Sequence, residues 1–89
     1  MAQIVMEVFS LRADADEGAF LTRNEEVQAW SHAHRAGLLR RTVARNDRAW
    51  LVLWTWAMHP DDADTSADVP TLTEFIDAST YRTNSFTTL

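Results

Sequence analysis

The sequence predicts an α+β fold of the ferredoxin-like kind: elements in the order β-α-β-β-α-β, an antiparallel sheet, and helices on one face. Three observations carry this. The chain opens on a β-branched and aromatic run, Ile4 to Leu11. A long amphipathic segment with stop and start signals follows. Two further strand-like runs are then joined by only Asn46-Asp47-Arg48, the composition of a hairpin turn. The 89 residues suffice for one domain, 1–89, with one modest core.

The elements follow in order. Ile4-Val-Met-Glu-Val-Phe-Ser-Leu11 is apolar on both faces apart from one acid, so this strand needs cover on both sides. Asp14-Ala-Asp-Glu17 has the form of a capping box with aspartate as the cap. The helix it opens is expected to run to Arg35 or Ala36. Phe20, Asn24, Val27, Ser31 and His34 form one stripe with Trp30 beside it, and Gly37 stands where a helix ends. Leu38–Arg45 and Ala49–Met58 are the second and third strands. Asp61 to Asp68 is acidic and alanine-rich, and the box Thr71-Leu-Thr-Glu74 predicts a short second helix over 71–78 with Leu72, Phe75 and Ile76 as its apolar face. The threonine-rich tail from Ser79 has the composition of a final strand. Two helices cover only one face of a sheet that is apolar on both, so the second face is expected to meet another copy of the chain, making a homodimer.

Composition excludes several functions. Thirteen acids against eight basic residues give a formal charge of −5, which argues against nucleic-acid binding. The basic residues are all arginine. Without cysteine there is no disulfide, thiolate metal site or cysteine nucleophile. No run approaches the roughly 20 apolar residues of a membrane span, and the first residues lack the pattern of a signal peptide, so a cytoplasmic protein is expected.

The third strand carries the strongest chemical signal. Trp50, Val52, Trp54, Trp56 and Met58 share one face, and Leu51, Leu53, Thr55 and Ala57 the other. Such a wall suits a flat, hydrophobic or aromatic ligand. It equally suits a core or a dimer interface, and alternation does not say which face looks at the helices. His32 and His34 are two apart on a helix and do not form a metal pair. His59 with Asp61, Asp62 and Asp64 matches no defined metal loop, so no metal site is expected. His34 is either a base in a pocket between helix and sheet or a histidine satisfied by carbonyls at a helix end. Asn24 must find a partner if its stripe is buried, in a ligand or in the backbone. Tyr81 and Arg82 lie on opposite faces of the last strand, and one of them can enter a pocket. Two glycines leave no phosphate loop, and no Ser-His-Asp order is present. The candidate catalytic residues are therefore His34, Asn24 and Tyr81. The candidate ligand-binding residues are Trp50, Trp54, Trp56, Phe20 and Val27.

Several stretches together resemble a known group. They are Ile4 to Arg12, the helix with Ala19-Phe20-Leu21 and Val27-Gln28, the segment Ala36-Gly37-Leu38-Leu39-Arg40-Arg41, and Arg48-Ala49-Trp50-Leu-Val-Leu-Trp-Thr-Trp56. Asp61-Asp62-Ala63 is similar to the start of that group's second helix, and Phe75-Ile76-Asp77 to its ending. The chain resembles the dimeric α/β-barrel proteins, and within them the small antibiotic-biosynthesis-monooxygenase-like domains. Trp50 and Trp56 match an aromatic residue that opens the third strand and a tryptophan near its end. The resemblance implies a homodimer whose sheets pack face to face, with a pocket between sheet and helices in each subunit. It also implies a small-molecule enzyme that oxidises aromatic polyketides with no metal or flavin cofactor. The alternative is a non-catalytic small-ligand-binding or purely structural dimer. Pro70 splits the group's second helix here. Val52 and Trp54 stand on the strand face where some oxygenating members carry an asparagine. The helix histidine that haem-degrading members use on iron has no counterpart.

Overall fold

The computed structural model describes residues 2–47, 49–57 and 69–89. Strand β1 (Gln3–Phe9) leads to helix α1 (Glu17–His34), then to β2 (Leu38–Arg45) and β3 (Trp50–Trp56). Two single turns of 3₁₀ helix, Thr73–Phe75 and Ala78–Thr80, precede β4 (Arg82–Thr87). The four strands form one sheet in the order β2-β3-β1-β4, with every neighbouring pair antiparallel. This is the expected α+β, ferredoxin-like arrangement.

The cap of helix α1 lies two residues beyond the first aspartate of the box. Asp16 is the cap, its carboxylate accepting from the Ala19 N–H at 3.2 Å, while Asp14 pairs with Arg12. At the other end Gly37 adopts φ 83°, the left-handed region that a side chain disfavours. That turn sends the chain directly into β2.

The helix expected over 71–78 is replaced by the two short turns. Between them the backbone is extended, because it pairs with the exit of β1. Arg12 N–H donates to the Phe75 carbonyl, Asp77 N–H donates to the Ser10 carbonyl, and Leu11 bridges Ile76. A continuous helix would need these same groups for itself. The acidic stretch 61–68, together with Met58 and His59, lies outside the described residues.

The register places the tryptophans. Phe9, Glu7, Val5 and Gln3 stand opposite Trp50, Val52, Trp54 and Trp56. On the other side Arg41 and Val43 oppose Trp54 and Val52. Residues directly opposite share a face, so all of these point the same way. That way is toward α1: Phe20, fully buried, packs on Trp50 at 4.7 Å and on Phe9 at 6.1 Å between ring centroids. Phe9, Phe20 and Val52 form the core, with Trp50, Leu72 and Phe75 packed around them. The other face carries Ile4, Met6, Val8, Leu51 and Leu53, all half-buried, and Phe86, which is exposed.

Candidate functional site

The space between α1 and the sheet is filled at one end and hollow at the other. Phe20 fills the first end. Further along the same helical stripe stands the shorter Val27, which lines a cavity of about 440 Å³. This is within the size of small-molecule sites. Its apolar walls include Val27, Val52, Trp54, Leu72 and Ile76, and Val69–Thr73 closes one side. Its polar groups are few: Glu7, Arg35, Arg41 and Tyr81, with Thr71 and Thr73 at the side.

Glu7 stands at the centre of the polar set. One carboxylate oxygen accepts from the Trp54 indole N–H, the other from the Tyr81 hydroxyl. Burial, then the hydrogen bond to Glu7 and its negative charge, push the Tyr81 phenol up to about 12. Tyr81 is thus a neutral donor at ordinary pH.

Arg41 enters from β2 and is almost wholly buried, at 5% exposure. One terminal nitrogen donates to Asn24 Oδ1 at 2.8 Å and to Gln28 Oε1 at 2.9 Å. The guanidinium lies 4.8 Å from the Trp54 ring centroid. Burial pulls its pKa down to about 10, partly opposed by the charge of Glu7, so it remains a cation at neutral pH. Arg35, at the end of α1, places its guanidinium 5.6, 5.8 and 6.0 Å from the rings of Trp30, Trp54 and Trp56. Trp54 and Trp56 are stacked on each other at 6.0 Å.

The sequence-predicted residues divide three ways. Tyr81, Trp54 and Val27 meet at the cavity. Asn24 acts at one remove, holding Arg41. Phe20 and Trp50 belong to the packed end, and Trp56 is buried behind Trp54. His34 is not brought to the cavity. It is exposed, its ring stacks on Trp30 at 4.8 Å, and its Nδ1 lies 3.0 Å from the Trp30 carbonyl oxygen, which is the helix-end reading of that histidine.

Sequence reasoning missed Glu7, Arg35, Arg41 and Gln28. Glu7 had a signal: a lone acid in a run apolar on both faces has no solvent side to turn to. Alternation likewise sends one of Arg40 and Arg41 inward, but only the pairing with β3 says which. Among the described residues no group of three or more potential metal ligands comes together, and no helix is long and apolar enough to cross a membrane.

No protein-family model matches the sequence, and no curated protein matches it. Two solved structures superpose on nearly the whole chain. One is SnoaB, a cofactor-independent oxygenase from Streptomyces nogalater, with a TM-score of 0.71 over 99% of this chain and 93% of that one. The other is a mutant of SnoaB, with a TM-score of 0.72 over 98% and 92%. Sequence identity is 16% in both. The likeness is one of fold.

Proposed function

We propose that this protein is a small-molecule enzyme, a cofactor-independent monooxygenase acting on an aromatic, polyketide-like substrate. The observation that carries the reading is the cavity itself: an apolar slot walled by Trp54, with Tyr81, Glu7 and Arg41 gathered at it. The oxygenase activity of SnoaB, which shares the fold, supports the same class.

The chemistry suited to these groups starts at an acidic CH₂ beside a carbonyl, as in an anthrone. The substrate proton passes to Tyr81 Oη as the tyrosine passes its own to Glu7. The positive field of Arg41 favours the negative charge as it develops, without a bond to the carbonyl oxygen. The carbanion then reacts with O₂ to give a hydroperoxide. Loss of water leaves a new carbonyl, so one oxygen atom enters the product and the other leaves as water. Asn24 and Gln28 fix the guanidinium in place, and Trp54 holds the ring system.

The test is oxygen uptake with anthrone-type substrates. Wild type should exceed a no-protein control, and Tyr81→Phe should lower the rate by about 10²-fold, the scale of a lost proton carrier. Fluorescence quenching by the same compounds without oxygen uptake would leave a binding protein in place of the enzyme. No uptake and no quenching would overturn the reading.

We further propose a homodimer formed through the outer sheet face. Ile4, Met6, Val8, Leu51, Leu53 and Phe86 make a continuous apolar surface there, and such patches mark protein contacts. Sedimentation at micromolar concentration should give twice the mass of the chain, and Leu53→Glu should reduce it to one. A monomer mass for wild type refutes the assembly.

A further inference from the structure

Among the described residues the charges around the cavity do not balance. Its described lining contains one carboxylate, Glu7, and two guanidinium groups, Arg35 and Arg41. This excess of positive charge occurs in a chain whose formal charge is −5. Three other arginines, Arg12, Arg23 and Arg45, are paired with carboxylates at the surface. Arg35 and Arg41 make no ion pair among the described residues.

The two cavity arginines are also incompletely hydrogen-bonded. In each the Nε atom is buried and has no acceptor. Arg41 is 95% withdrawn from solvent, and its partners Asn24 and Gln28 are neutral amides. A cation removed from water is costly unless a charge of opposite sign or a full set of acceptors meets it. The charge of Glu7 acts on Arg41, but Glu7 forms no ion pair with either guanidinium and is one carboxylate against two cations. The faces of Trp54 and Trp56 give Arg35 partial compensation, but they accept no N–H bond in the guanidinium plane. Both cations lie within 6 Å of the Trp54 ring, so the positive charge left unpaired among the described residues is concentrated beside that ring.

We propose that the ligand of this cavity is an aromatic carboxylate, its ring system against Trp54 and its carboxylate held by Arg41 and Arg35. Guanidinium pairs with planar carboxylates in this way wherever such groups are recognised. The inference rests on the aromatic-ligand reading above and narrows it: the substrate arrives already charged, at a position apart from the carbon that is oxidised.

Quenching of tryptophan fluorescence tests it with a matched pair, anthraquinone-2-carboxylate and anthraquinone-2-carboxamide, which differ only in charge at one substituent. The wild-type protein should bind the carboxylate at least about tenfold more tightly, the usual worth of a charged hydrogen bond over a neutral one. Raising the salt concentration should weaken the carboxylate and leave the amide unmoved. Arg35→Gln, at the helix end, should remove most of the preference while the amide still binds. Arg41→Lys should keep part of it, because the charge remains and the planar fork does not. Equal binding of the two compounds overturns the carboxylate proposal and leaves the aromatic site standing. Binding of neither overturns both. Because the matched pair is read on the wild-type chain, a variant that fails to fold does not blunt the result.

Discussion

Trp50 and Trp54 are the same residue type, on the same strand and the same face, four positions apart, yet they do different work. Trp50, half-buried, lies under Phe20 and packs on the core of Phe9, Phe20 and Val52. Trp54, half-buried as well, touches the same core but also borders a cavity, where α1 presents Val27. The difference arises above the sheet. A fully buried phenylalanine fills the space between the layers, and a valine further on does not. The smaller side chain leaves volume, and the volume is occupied at its margins by charged and hydroxyl groups that a filled core would exclude. One end of the layer is therefore built for stability, and the other holds space for a ligand.

Substitutions can break this contrast. The largest effect is expected from Phe20→Ala, which empties a fully buried aromatic site and should cost about 3–5 kcal/mol in chemical denaturation. The loss of stability should dominate, with ligand affinity nearly unchanged in the folded fraction. If affinity falls as steeply as stability, the two ends are one unit and the division fails.

Next in size is the titration of Tyr81, the single tyrosine of the chain, so that tyrosinate absorbance reports it alone. Its midpoint should lie near 12, against 10 for an unperturbed phenol. Glu7→Gln should lower the midpoint only in part, because burial is the larger cause. The sign for stability follows from the raised value. The folded surroundings favour the protonated phenol, so the contribution is complete below about pH 10 and is lost as the pH rises toward 12. Arg41, pulled down to about 10, titrates in the same window with the opposite sign, which makes absorbance the cleaner readout. A midpoint near 10 in the native protein would show the phenol to be solvated and the cavity end open to water.

The smallest effect belongs to Trp54→Phe. It removes the donor to one Glu7 oxygen and trims a wall that already borders empty space, so about 1 kcal/mol is expected. Ligand quenching should drop sharply in the same variant. A stability loss equal to that of Phe20→Ala would mean that Trp54 is packed as tightly as the core, contrary to the cavity.

Much of this was readable along the chain because it depends on neighbours a few residues away. The helical stripe, the glycine past its end, the hairpin and the shared face of the β3 tryptophans are all local patterns. The second helix was misjudged for the converse reason. The Thr71–Glu74 box is a genuine local signal, but Ser10–Arg12 takes the hydrogen-bonding groups of residues 75–77 from more than sixty residues away. His34 fits the stripe by spacing alone, yet it is the last residue of α1 and turns back onto the Trp30 carbonyl.

The sequence by itself determined the order of strands and helix, the sheet's two apolar faces, and an aromatic wall along β3. Only the tertiary structure decided which way that wall looks, that Glu7, Arg41 and Tyr81 meet beneath the helix, and that two guanidinium groups lack a carboxylate partner among the described residues. The physical reason is one of range. Propensity, capping and alternation act within a turn or a strand and are written in adjacent residues. A carboxylate on β1, a guanidinium on β2 and a phenol before β4 become neighbours only when the register of three strand pairings is set, and that register is chosen by the burial of the whole sheet at once.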